Sequence, residues 1–225
     1  MLAFGALLSI AGFVSAALSK RSLYPSMPNT TCITAPPTNL DDSWIANAPL
    51  QASIAGGQPG VSMLLDIGVI DTTTCQPIPD ILVEVWSANA VGEYGDDFLR
   101  GASMTGSNGI VEFDTIFPGY TTGATSAAFI GEVFFTDPWT NIIGQWQMYA
   151  ANTNTRMLND ADPVFHTASA NGMYPVADVE EINDDWPEGI VAYLSALLTA
   201  DKLNLTLMLA FLAIGIDTFA TPLPL

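Results

Sequence analysis

Residues 59–119 read PGVSMLLDIGVIDTTTCQPIPDILVEVWSANAVGEYGDDFLRGASMTGSNGIVEFDTIFPG, and their patterning decides the fold. Val61 to Asp71 is apolar and rich in β-branched residues, which predicts a strand, and TTTCQPIPD after it supplies turn residues. In ILVEVWSANA at 81–90, Leu82, Glu84 and Trp86 alternate with Val83, Val85 and Ser87, the period of two that a strand imposes. A loop with Gly92 and Gly95 follows. Ser107-Asn108-Gly109 is a turn signal, because Asn-Gly readily takes positive φ, and IVEFDTI at 110–116 alternates again before Phe117-Pro118-Gly119 ends the run.

Downstream, IGEVFF at 130–135 predicts a fourth strand. Residues 136–187 read as a long irregular region carrying Trp139, Trp146, Asp160, Asp162 and Trp186. Short strands separated by turn signals predict an all-β protein, a β-sandwich with long loops. The C-terminal segment, residues 192–214, is left undecided: the Leu, Ala and Met of LSALLTADK and LTLMLAFLA favour helix, yet a run this apolar also suits a buried strand. About a dozen residues beyond Asn204 fall short of the roughly 20 needed for a membrane span.

Upstream, residues 22–58 are rich in Pro, Thr, Asn and Ala without an apolar period, and read as an extended arm tied down by Cys32. Met1 to Ala16 is an uncharged apolar stretch ending in the small-residue spacing Val14-Ser15-Ala16, which predicts a cleaved secretory signal and an extracellular protein. A buried first helix or an anchor is the alternative. Lys20-Arg21 offers a dibasic processing site. The organisation expected is therefore 1–21 signal and processing, 22–58 arm, and 59–225 one β-sandwich domain.

The chain carries 23 acidic residues against 5 basic ones, a net charge of −18. Such a surface repels phosphate backbones and anionic membranes, so no nucleic-acid partner is expected, and none of the mature chain is expected to span a membrane. The two cysteines, Cys32 and Cys75, are expected to bridge in an oxidising compartment, two unpaired core thiols being the alternative. Asn29 and Asn204 fit the glycan acceptor pattern, Asn29 the better placed.

Several blocks occur in an order that belongs to a known family: Asp71, Thr74-Cys75-Gln76-Pro77, Val83-Glu84-Val85-Trp86, Ala88-Asn89-Ala90 with Gly92 and Tyr94, Phe98-Leu99-Arg100-Gly101, and Thr115-Ile116-Phe117-Pro118-Gly119. This stretch resembles the secreted branch of the intradiol ring-cleavage dioxygenases. Gly131 to Phe135, Asn152-Thr153, Asn159, Asp162, Phe165 and Gly215-Ile216-Asp217 resemble later segments of the same family. The resemblance implies a β-sandwich and, in active members, Fe(III) held by two tyrosinates and two histidines, with a catechol-type aromatic diol and dioxygen as substrates and a nearby arginine stabilising negative charge. Its state of oligomerisation is not implied.

Set against that pattern, Tyr94 retains the first tyrosine ligand position. The second falls on Thr121, with Tyr120 one position early, and a slip of one residue in an extended segment turns a side chain to the opposite face. The arginine position holds Ala124, and the His-x-His pair is replaced by Ala127 and Phe129. The chain's one histidine, His166, lies outside the ligand positions and reads as a loop residue. Asp160 and Asp162, and Glu180, Glu181, Asp184 and Asp185, form acidic groupings suited in principle to calcium or magnesium, though neither has a recognisable loop spacing. No catalytic residue is assigned. Three readings follow: a secreted relative whose sandwich persists without catalysis, an active dioxygenase with a site remodelled around Tyr94 and Tyr120, or an active enzyme's sequence lacking a segment between Ala124 and Ile130.

Overall fold

The computed structural model describes residues 48–121, 132–198 and 207–212. Among them eight strands form two four-stranded sheets. These are β1 (Ser62–Asp71), β2 (Leu82–Ser87), β3 (Arg100–Met104), β4 (Ile110–Ile116), β5 (Glu132–Val133), β6 (Asp178–Glu181), β7 (Ile190–Leu198) and β8 (Leu207–Leu212). The first sheet has the order β4-β1-β7-β6 and the second β3-β2-β8-β5.

The period-two patterns explain how the sheets meet. On β1, Met63, Leu65, Ile67 and Val69 point one way and are fully buried, as are Val83 and Val85 of β2, Phe113 of β4 and Val133 of β5. All of them join one hydrophobic core with Ala192 and Leu194 of β7. Tyr149 locks this core to the chain around it: its hydroxyl donates to the Phe117 carbonyl at 2.6 Å and accepts from the Val61 amide at 3.0 Å.

Three of the four strands expected between residues 61 and 135 lie where the patterning puts them. Of the fourth, the described residues hold strand at Glu132–Val133, with Phe134 continuing as a single bridge to Val176. Strand β3 is additional, and Gly101 explains its weak signal: a Cβ there would lie 2.5 Å from the Gln51 carbonyl, so the position where the arm crosses takes glycine. The region 136–187, read as irregular, contains α1 (Asp137–Gly144), α2 (Pro163–Ala168), short 3-10 turns and β6.

The undecided C-terminal stretch is two strands. β7 runs parallel to β1 from Met63–Ile190 to Asp71–Leu198, and β8 runs parallel to both β2 and β5. Each is an inner strand of its sheet. Inner parallel strands read as continuous apolar runs, and helix propensity is a weak prior that such pairing overrides.

The part of the arm within view is extended. Leu50 bridges Ala102 of β3 and Ser53 bridges Asp114 of β4, so residues 50–53 touch an edge strand of each sheet. The signal segment, Lys20-Arg21, Asn29, Cys32, Ala124, Ala127, Phe129 and Asn204 lie outside the described residues. No described helix is long and apolar enough to cross a membrane.

Candidate functional site

Tyr94 is positioned by a loop that folds back on itself after β2. The Asn89 side-chain oxygen accepts from the amides of Val91 and Glu93, both at 3.0 Å, which makes a turn of residues 89–93. Gly92 sits at φ +81 with its hydrogen pointing at the Tyr120 carbonyl, which a Cβ would approach to 2.2 Å. Gly119 meets Ala90 just as closely, its amide donating to the Asn89 carbonyl at 3.0 Å. Asn154 then ties both segments together, its side-chain amide donating to the carbonyls of Val91 and Tyr120 at 3.2 and 3.1 Å. The consequence is a fixed juxtaposition of Tyr94 and Thr121, whose side chains share a hydrogen bond.

The neighbours of Tyr94 come from the outer face of the second sheet. Trp86 pairs with Arg100 across β2 and β3, and with Phe211 across β2 and β8; Phe211 in turn pairs with Glu132 of β5. Residues directly opposite in a sheet share a face, so Arg100, Trp86 and Glu132 project away from the core that takes Val83, Val85 and Val133. The Trp86 and Tyr94 rings lie 5.1 Å apart. The Trp86 indole N–H donates to the Gly95 carbonyl at 3.1 Å, and the Arg100 guanidinium lies 4.6 Å over the Trp86 ring. Arg100 is itself held by Glu84, with Nε and Nη2 at 2.7 and 2.6 Å from Oε1.

Among the described residues, no cation pairs with Glu132. It is 1% exposed, and neither carboxyl oxygen has a hydrogen-bond partner. Burial pushes its carboxyl up to about 8, with the Asp162 carboxylate adding to the effect. Burial also raises the Tyr94 phenol above its ordinary range, and the charge of Glu132 raises it further, against the hydrogen bond from Thr121. Tyr94 is therefore held as a neutral phenol at physiological pH. Asp162, also buried, caps α2 by accepting from the Val164 and Phe165 amides at 2.8 and 3.4 Å.

The other predicted positions are placed apart from this group. Tyr120 turns its ring onto the hydrophobic core and against Gly144 of α1, while Thr121 faces Tyr94. His166 is exposed on α2, with Nε2 2.8 Å from the Asp160 carbonyl oxygen. Glu180 and Glu181 are exposed on β6, and Asp184 and Asp185 are exposed on the segment after it. Among the described residues, no three of His, Cys, Asp and Glu converge in a way that could hold a metal ion. Cys75 occupies the turn after β1 at positive φ. Sequence reasoning missed Glu132; an acid inside the apolar run IGEVFF was the available signal.

No protein-family model matches the sequence, and no curated protein does. Solved structures do. The intradiol ring-cleavage dioxygenase from Tetranychus urticae superposes with a TM-score of 0.62 at 21% identity, covering 74% of this chain and 94% of that one. A second solved dioxygenase gives 0.63 at 22% identity, covering 75% of this chain and 95% of that one. The likeness is one of fold, and it extends over nearly the whole of both solved chains.

Proposed function

We propose that this chain is a secreted intradiol dioxygenase-like protein, a β-sandwich that keeps the family's scaffold and serves as a binding or structural domain without ferric ring cleavage. The fold and the ordered blocks between Asp71 and Gly119 support the first part. One observation carries the second: Thr121 stands where the family places the second tyrosinate, Tyr120 turns its ring onto the hydrophobic core, and the chain's single histidine is exposed on α2.

Ferric iron does not fit these residues. It demands several hard anionic donors converging on one point, with imidazoles completing the sphere. Here Tyr120 faces the core, the single histidine is exposed on α2, and residues 122–131 contain neither Tyr nor His. No step of ring cleavage is therefore derived for this chain.

The experiment is elemental analysis of the protein purified from iron-replete culture, with a visible spectrum and oxygen uptake on catechol and hydroxyquinol. Iron well below stoichiometry, a colourless protein and flat oxygen traces are expected. Near-stoichiometric ferric iron with a purple-red tyrosinate band would overturn the reading.

A further inference from the structure

The sequence holds two Asn-Gly pairs, Asn108-Gly109 and Asn171-Gly172. We propose that the second is a site of self-modification, where the Asn171 side chain cyclises onto the Gly172 amide and opens to aspartate and isoaspartate, while the fold protects the first. This inference is independent of the function proposed above.

The chemistry needs only water. The Gly172 amide nitrogen loses its proton and forms a bond to the Asn171 side-chain carbonyl carbon. That carbon's bond to its own nitrogen breaks, and the nitrogen takes up a proton and leaves as ammonia. Water then opens the five-membered imide: cleavage at the side-chain carbonyl gives aspartate, and cleavage at the main-chain carbonyl gives isoaspartate, with the backbone rerouted through the side chain. Nothing is oxidised or reduced. For the nitrogen to reach the carbon, the peptide plane between the two residues must swing toward the side chain, so the rate is set by how firmly the fold holds both.

At residues 108–109 both are held. The Asn108 side-chain oxygen accepts from the Ile110 amide at 3.2 Å. The buried Gly109 donates its amide to the Gly106 carbonyl at 2.9 Å, accepts from the Val69 amide at 2.8 Å, and lies so close to Pro77 that a Cβ would come within 2.6 Å. At residues 171–172 these restraints are gone. Both residues are exposed, a Cβ at Gly172 would meet nothing within 4 Å, and no hydrogen bond among the described residues holds the Asn171 side chain. Asn171 also holds φ 59 and ψ 27, a left-handed conformation that a residue with a Cβ leaves at little cost. The products bear on α2: the turn after it closes with the Met173 amide donating to the Ala170 carbonyl at 3.2 Å, and isoaspartate lengthens the chain inside that turn. Either product also sets a carboxylate just beyond the helix C-terminus, the end that disfavours negative charge.

The test incubates the full-length protein at physiological temperature, native and urea-unfolded, and follows both Asn-Gly peptides by liquid chromatography and mass spectrometry, which separate asparagine, aspartate and isoaspartate forms. In the native protein Asn171 should convert at least about tenfold faster than Asn108. In urea the two rates should agree within about twofold, because only the fold distinguishes them. The native rate at Asn171 should rise from neutral to mildly alkaline pH, and Asn171→Gln, whose longer side chain disfavours the five-membered ring, should leave that peptide unchanged. Equal native rates at the two sites, or an Asn171 that stays intact while the unfolded chain converts, would overturn the proposal. Conversion to aspartate alone, without isoaspartate, would equally defeat it, since direct hydrolysis bypasses the imide.

Discussion

Asp66 is the residue where pH should be felt most directly. It lies on β1 directly opposite Glu112 of β4, with Tyr193 of β7 on its other side and Asp178 of β6 beyond. It is fully buried, neither oxygen has a hydrogen bond, and burial, then Glu112, pushes its carboxyl up to about 7. A carboxyl whose pKa is raised by folding favours the native state below its unfolded value, near 3.8, and that advantage is lost as pH climbs toward 7. Stability should therefore fall between about pH 4 and pH 7 and change little from this group above that range. Asp66→Asn should flatten the profile and raise stability at pH 8 by about 2–4 kcal/mol, from urea unfolding at several pH values. An unchanged slope would show that Asp66 does not titrate in this window. Glu84 differs from Asp66 because it has a cation. Burial raises its carboxyl and Arg100 works against that shift, so the ion pair keeps two charges off solvent together.

At the level of elements, the loop of residues 88–95 converts strand β2 into a functional position. Its turn is made by Asn89, and its closeness to residues 119–121 depends on the two hydrogen atoms of Gly92. Gly92→Ala introduces a Cβ at positive φ and 2.2 Å from the Tyr120 carbonyl. The loop must then lift, parting Tyr94 from Thr121. The expected loss is more than about 1 kcal/mol in the denaturant midpoint, with a change in Trp86 fluorescence as the Tyr94 ring moves. Retention of both would mean that the loop is free to adjust. Helix α2 is short and relies on Asp162 at its N-terminus and Pro163 in its first turn, both recognisable start signals. They went unread because six residues hold too little periodicity to stand out from irregular sequence.

For the whole molecule, the proposed export and the proposed Cys32–Cys75 disulfide stand or fall together, since both require an oxidising route. Expressed through a secretory pathway, the chain should begin at Ala17, or at Ser22 after cleavage behind Lys20-Arg21, and the Cys32 and Cys75 peptides should run as one species until reduced. Reduction should cost roughly 4 kcal/mol of stability on the chain-entropy model. An intact Met1 or two alkylatable thiols in the native protein would defeat this. The net charge of −18 belongs to the same scale: it favours solubility and self-repulsion and says nothing of the fold. The sequence by itself determined β1, β2 and β4, because alternation of buried and outward residues is written locally, one residue after the next. It also determined that the chain holds a single histidine, which is a matter of composition. Only the tertiary structure decided that residues 190–198 and 207–212 are inner strands, since their apolar runs suit helix and buried strand alike until β1 and β2 offer hydrogen-bonding edges. It alone decided that Glu132 is sealed from solvent within electrostatic reach of Tyr94 and Asp162, 38 and 30 positions away, because no local pattern encodes a meeting of that length.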